Sequence, residues 1–170
     1  MRLVRFIFVL SFGLLTLPAC DLFGSAPGSF EVSVTGDATA SFSGEPVTIV
    51  NPAGSLDPSE QRYLFRLAAS GNDEIVSIAA ASDGVPELAE GTYDIGRFGV
   101  DLGPGRAEAI VDLEDNQAFL SLSGTLTLTE VTDDRVRGSF ELEAVEGNHG
   151  DGEITVQGSF EADLSENTIS

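Results

Sequence analysis

The chain has 170 residues, with 8 basic and 28 acidic side chains and a net charge of −20, and it contains neither lysine nor tryptophan. This balance excludes nucleic acid and anionic lipid headgroups as partners, because a negative field repels both. Cys20 is the sole cysteine, so the chain cannot form an internal disulfide bond and packing alone must hold the fold.

The N-terminal segment is basic and then apolar. Arg2 and Arg5 precede an apolar run over residues 6–17. This run is shorter than the ~20 apolar residues that a membrane-spanning helix needs, which is typical of the hydrophobic region of an export signal. We therefore expect residues 1–19 to be a signal peptide.

The segment ends in Leu17-Pro18-Ala19-Cys20. These four residues resemble the lipobox of bacterial lipoproteins, in which an aliphatic residue, a tolerant position and a small residue precede a cysteine. The resemblance covers residues 1–20 only. It implies cleavage between Ala19 and Cys20, a diacylglyceryl group on the Cys20 sulfur and an acyl chain on its amine, with no other cofactor.

The lipid chains would anchor the protein in the cell envelope, outside the cytoplasm. Each buried methylene contributes about 0.8 kcal/mol, so two or three chains hold effectively permanently. Two alternatives remain open at this point: an ordinary secretory signal with a chance cysteine, and an uncleaved membrane anchor.

Cleavage would leave six basic and 28 acidic residues, a net charge of −22, with the acids scattered along the chain. Three explanations compete: a salt-adapted surface, a surface that only promotes solubility, and several cation sites. Unfolding midpoints from low to molar salt distinguish the first, because a salt-adapted protein gains stability when ions screen its self-repulsion.

Residues 20–29 are interpreted as the lipidated cysteine and a flexible tether, because glycine, serine and proline dominate them. Residues 30–170 are interpreted as a single β domain. From Phe30 onward the apolar residues alternate with period two, and no helical stripe occurs. The predicted fold is all-β, an antiparallel sandwich or barrel of about nine or ten strands joined mainly by hairpins.

The first predicted hairpin turns at residues 35–37 and pairs Val34 with Ala38 and Phe30 with Phe42. A short strand follows at residues 47–50. A second hairpin places two apolar sets on one face: Tyr63, Phe65 and Leu67, then Val76, Ile78 and Ala80. Another short strand is predicted at residues 91–96.

The next hairpin is predicted to set two apolar series on one face: Ala107, Ala109, Val111 and Leu113, then Ala118, Leu120 and Leu122. Gly124 is expected to mark a bulge or bend where the second strand passes to another part of the sheet.

The string Gly-Ser-Phe-Glu occurs at residues 28–31, 138–141 and 158–161. A turn centred on His149 places Phe140 opposite Gly158 and Phe160 opposite Gly138. Each ring would then cover a glycine on the neighbouring strand, a device that fixes register. Recurrence by compositional chance is the alternative.

Catalytic chemistry finds little support. His149 is the only histidine and lies in turn composition, and the chain has no Gly-x-Ser-x-Gly elbow and no lysine for a phosphate loop. We therefore predict that the protein is not an enzyme and has no catalytic residues.

Calcium is the one metal with candidate ligands, because acidic residues cluster in turns. None of them follows the spaced calcium-loop pattern, and solvated turn carboxylates are the alternative, so no metal site is predicted. The weak candidates are Asp112, Asp115, Asp133, Asp134, Asp151 and Glu153.

Two functional classes remain. The first is a structural or protein-interaction module on the envelope, with an envelope protein as its possible partner. The alternative is a lipocalin-like barrel that binds a small molecule of unknown identity, although the lipocalin Gly-x-Trp signature is missing. An interior cavity of several hundred Å3 would favour the second class, and a solid core the first.

Overall fold

The computed structural model describes residues 28–45, 47–50, 62–68, 74–81, 88–100, 103–114, 117–147 and 151–163. These residues form strands and turns with no α-helix among them, so the all-β prediction is confirmed. The described part of the chain accordingly holds no helix long and apolar enough to cross a membrane.

Ten strands make one sheet in the order β2-β1-β10-β9-β8-β6-β7-β5-β4-β3. The pairings are antiparallel except β6 with β7, which is parallel. The sheet is nearly closed into a barrel-like shape, and the Val47 N–H of its last strand donates to the Gly28 carbonyl, 3.1 Å away, just before β1. The strands are β1 (Phe30–Gly36), β2 (Ala40–Gly44), β3 (Val47–Val50), β4 (Arg62–Ala68), β5 (Ile75–Ala81), β6 (Gly91–Ile95), β7 (Arg106–Leu113), β8 (Gln117–Val131), β9 (Arg135–Glu146) and β10 (Glu153–Asp163).

The core lies on the inner face of this sheet, where alternate residues of each strand point. The rings of Phe65 on β4 and Phe160 on β10 have their centroids 5.3 Å apart. These two strands do not pair with each other, so the ring contact spans the interior. The largest fully buried side chains include Phe30, Phe65, Leu67, Ile78, Leu126, Leu128 and Leu142.

The predicted register of the first hairpin is wrong by two residues. Val34 pairs with Ala40, and Phe30 pairs with Gly44. The turn is longer because Asp37 is held on the start of β10: its N–H donates to the Glu153 carbonyl and its carboxylate accepts from the Glu153 N–H, both at 2.9 Å. A shift of two residues keeps each side chain on its predicted face.

The predicted β9–β10 register is confirmed, and so is the shared inward face of the β4–β5 hairpin. Phe65 pairs with Ile78 in the β4–β5 hairpin. In the β9–β10 hairpin Phe140 pairs with Gly158, and Phe160 pairs with Gly138. A Cβ on Gly138 would lie 3.0 Å from Phe160 Cζ, so the ring does cover the glycine.

All three Gly-Ser-Phe-Glu strings lie side by side in the sheet. They occupy or border β1, β10 and β9, where Ser139 pairs with Ser159 and Ser159 pairs with Glu31. Each phenylalanine faces the core, and the serine before it is exposed in β9 and β10, whereas the Ser29 hydroxyl before β1 is buried.

The inward face of β8 differs from the prediction. Phe119 and Ser121 are buried, whereas Leu120 is only half-buried. A register shift between Ser121 and Ser123 inverts the alternation, and Gly124 follows it with a φ of +152°. The predicted irregularity at Gly124 is thus confirmed, and it explains why simple alternation misplaced the preceding residues.

The same irregularity is where β8 changes partner. Its first residues pair with β7 and its later residues pair with β6. The expectation of sequential hairpins is wrong here, because β5 pairs with β7 and leaves β6 between β7 and β8. Residues 96–105 connect β6 to β7, and the two strands pair in parallel at two positions, Asp94 with Arg106 and Ile95 with Ala107.

Ser121 satisfies the backbone groups at this junction. The Ala109 N–H donates to Ser121 Oγ at 3.0 Å, and the Ser121 hydroxyl donates to the Gly96 carbonyl at 2.8 Å. Ser121 is 1% exposed, so water cannot replace its hydroxyl without local opening.

Replacing Ser121 with alanine should lower the free energy of unfolding by about 1–3 kcal/mol, because a buried donor and a buried acceptor lose their partner. Urea unfolding measures the loss. Ser123→Ala is the matched control, since the Ser123 hydroxyl donates to Glu143 at the exposed surface and should cost less than about 0.5 kcal/mol. Equal losses in the two variants would contradict the role assigned to Ser121.

Candidate interaction surface

Two rows of polar side chains, most of them serine and threonine, cross the outer face of the sheet. In register, the first row is Thr127, Ser139, Ser159, Glu31 and Ser43, from β8, β9, β10, β1 and β2. The second row is Thr125, Glu141, Gln157, Ser33 and Ser41, from the same strands. Both rows follow from alternation, because the residues between them face the core.

A groove of about 520 Å3 lies over these rows, and the backbone of Gly158 contributes to its floor. Two carboxylates, Glu31 and Glu141, and the amide of Gln157 line it, and no arginine does. It therefore offers neutral donors and acceptors together with negative charge. Its hydroxyl groups come from Ser33, Ser41, Thr125, Thr127, Ser139 and Ser159.

The two carboxylates that line the groove are available to pair with a positively charged ligand. Glu31 and Glu141 are exposed, and among the described residues neither forms an ion pair. They lie two strands apart and two residues apart along the strands, which places their Cα atoms about 12 Å from each other by strand geometry. Gly158 of β10 lies midway between them.

A cluster of opposite charges borders the groove. Arg137 Nη2 lies 2.7 Å from Glu161 Oε2, Arg135 Nε lies 3.3 Å from Glu161 Oε1, and Arg137 Nη1 lies 3.6 Å from Glu130 Oε2. The Glu161 side chain is 5% exposed, so its charge needs these partners. Both arginines are engaged within this cluster and leave the groove carboxylates unneutralised.

Glu161 raises the pKa of Arg137 above its ordinary value, first through the hydrogen bond between them and then through its charge. A base whose pKa is raised on folding stabilises the fold fully below the unfolded pKa. The contribution of Arg137 should therefore be constant across neutral pH and should fall only in strong alkali.

Arg137→Gln should lower the thermal midpoint at pH 7, because Glu161 then keeps only the weaker partner Arg135. Arg66→Gln, on the exposed side of β4, removes the same charge elsewhere and should change the midpoint less. Calorimetry at pH 6, 7 and 8 measures both. A strong pH dependence of the difference would contradict the assignment.

Comparisons with known proteins give no relative. No family model, no curated protein and no solved structure matches this chain.

The calcium candidates that the structure describes do not form one group. Asp133 and Asp134 lie in the β8–β9 turn, whereas Asp151 and Glu153 lie at the other end of β9, about 35 Å away for a strand of this length. Asp112 is on β7, and Asp115 lies outside the described residues. Within the described ranges, no three His, Cys, Asp or Glu residues are placed to hold a metal ion.

The residues predicted for lipidation and cleavage, Cys20 and Ala19, and the turn residue His149 lie outside the described residues. Their roles stay predictions.

Sequence reasoning did not single out the groove, although part of its signal was present. The register that opposes Phe140 and Gly158 also opposes Ser139 and Ser159, so two of its strands could have been aligned. The third strand could not, because β1 joins β10 across more than 110 residues of chain and no local pattern indicates that pairing.

Proposed function

We propose that this protein is a lipid-anchored cell-envelope domain that acts as a structural or protein-interaction module. The observation that carries this proposal is the contrast between the apolar side chains buried in the interior and a groove of polar side chains on the outer face. The first favours a scaffold, and the second supplies a surface on which another molecule can lie.

The interior supports a scaffold because its side chains pack against one another. Phe65 and Phe160 meet across it, and the apolar residues of its core are at most 6% exposed. A lipocalin-like barrel would need a lumen of several hundred Å3 for its ligand. The barrel-like fold alone is compatible with either use, and the packing favours the scaffold.

The anchor is supported by the sequence of the N-terminal segment. Nine residues separate Cys20 from Phe30, where β1 begins, and even fully extended they span only about 30 Å. The domain would therefore stay close to the membrane surface, where its partner is expected to be another envelope protein. This role requires no catalytic residue, resident metal or nucleic acid.

Mass spectrometry of the protein purified from its native membrane tests the anchor. The expected mass shows loss of residues 1–19 and addition of a diacylglyceryl group and an acyl chain at Cys20. Cys20→Ser should abolish both the acylation and the membrane attachment. An unmodified Cys20 thiol on the secreted protein would contradict the anchor.

Site-specific photocrosslinking in the native envelope tests the interaction. A photoreactive residue at Ser41, in the groove, should give a discrete crosslinked species, whereas the same residue at Arg66, on the exposed side of β4, should not. Crosslinks of equal strength at both positions would indicate random collision and would contradict an interaction surface.

A further inference from the structure

We propose that the outer groove binds an extended, positively charged segment of a partner protein, with basic side chains at positions i and i+4 over Glu31 and Glu141. This inference rests on the proposed interaction function and specifies the chemistry of the partner.

The sign of the charge follows from the lining of the groove. Among the described residues that line the groove, Glu31 and Glu141 are the only charged ones. The nearby Arg135 and Arg137 are paired with Glu161 and Glu130. At physiological salt, charges farther than ~8 Å are largely screened, so these two local carboxylates decide which ligand is attracted. They favour a cation and disfavour an anion.

The spacing of the carboxylates favours an extended polypeptide. An extended chain advances about 3.3 Å per residue and presents alternate side chains on one face. Residues i and i+4 therefore lie on the same face about 13 Å apart, close to the ~12 Å between Glu31 and Glu141. Residues i and i+1 point to opposite faces and cannot reach both carboxylates from one chain.

The serine and glycine residues between the carboxylates let such a segment lie close to the sheet. Ser159 and Gln157 flank the diagonal from Glu31 to Glu141, and the backbone of Gly158 lies in the floor beneath it. The serine hydroxyls can donate to and accept from the peptide groups of the bound segment. They can do so when the residues of that segment at the centre of the groove carry no large side chain. The residues between the two basic positions should therefore be small.

The test is calorimetric titration of the full chain, purified in detergent, with two blocked seven-residue peptides of identical composition. One carries lysine at positions 2 and 6, the other at positions 2 and 3, and the remaining residues are glycine and serine. The first peptide should bind at least about fivefold more tightly, because only it engages both carboxylates at once.

The matched variants are Glu31→Gln with Glu141→Gln, and Asp133→Asn with Asp134→Asn at the distant β8–β9 turn. Both remove two negative charges from exposed positions. The first should weaken binding of the 2,6-peptide about tenfold, and the second less than twofold. Unfolding midpoints equal to that of the parent chain confirm that both variants fold.

Four results would overturn the proposal. Equal binding of the two peptides, or equal loss in the two variants, would show that overall charge alone acts. Spermidine binding as tightly as the 2,6-peptide would indicate a site for small cations. Binding of a neutral oligosaccharide such as maltohexaose, unaffected by Glu31→Gln with Glu141→Gln, would indicate a glycan site.

This test does not depend on the anchor. If the peptides fail to bind while Cys20 is acylated and Ser41 crosslinks specifically, the peptide proposal alone is wrong. If the 2,6-peptide binds but Cys20 is unmodified, the proposed membrane anchor is wrong and the groove remains.

Discussion

Gly124→Ala is expected to lower the free energy of unfolding by about 3–5 kcal/mol, from backbone strain and overpacking together. Gly124 has a φ of +152°, which side-chain-bearing residues rarely adopt. A Cβ at this position would lie 2.7 Å from the Cα of Leu142 on the adjoining strand. Neither β8 nor β9 can move away easily, since each is paired on both sides.

Chemical denaturation measured by circular dichroism gives the size of the effect. Gly103→Ala is the control, because a Cβ there would meet nothing within 4 Å and the φ of Gly103 is outside the positive range. The control should lie within about 0.5 kcal/mol of the parent chain. A Gly124 variant as stable as this control would contradict the close approach of β8 and β9.

Phe160→Ala is also expected to lower the free energy of unfolding by about 3–5 kcal/mol, because it removes buried apolar surface and leaves a cavity. The ring of Phe160 packs against that of Phe65, with 5.3 Å between the ring centroids, and it also covers Gly138 on β9. The substitution therefore weakens the interior and the β9–β10 register together. Urea unfolding of the full chain measures the loss.

Val100→Ala is the control for this variant. Val100 is 60% exposed, so its truncation should change the free energy of unfolding by less than about 0.5 kcal/mol. If Phe160→Ala cost as little as Val100→Ala, the interior would not be a packed core. That result would favour the lipocalin-like alternative over the interaction module.

The strands, and the faces and register of two hairpins, could be predicted from the sequence where the paired strands are close together in the chain. The shared inward face of β4 and β5, and the register of the β9–β10 hairpin, follow from two alternating runs and the short segment between them. In the second hairpin, the opposition of phenylalanine and glycine indicated the register directly. Such pairings depend on residues close in the chain, so their turn and their apolar faces constrain them together.

The sequence-based predictions were wrong where a contact with a distant residue, or an extra residue in a strand, changed the pairing. The β1–β2 turn gained two residues because Asp37 binds Glu153, which is 116 positions away. The inward face of β8 was misassigned because the bulge between Ser121 and Ser123 inverts the alternation. Neither effect leaves a local pattern strong enough to predict.

The candidate site depended still more on the tertiary structure. Alternation in the sequence placed Glu31 on an outward face, but only the pairing of β1 with β10 brought it into one row with Ser139 and Ser159. The parallel pairing of β6 with β7 and the role of Ser121 were likewise invisible beforehand.

The sequence by itself determined that the described chain is β-structured, which side chains of most strands face inward, and that its surface is acidic, because alternation and charge are local properties. Tertiary structure decided the strand order, the contact of Phe65 with Phe160 across the interior and the groove, because these depend on backbone pairings between residues far apart in the chain. The entropy of closing such long loops changes slowly with their length, so the number of residues between two strands does not select which strands will pair.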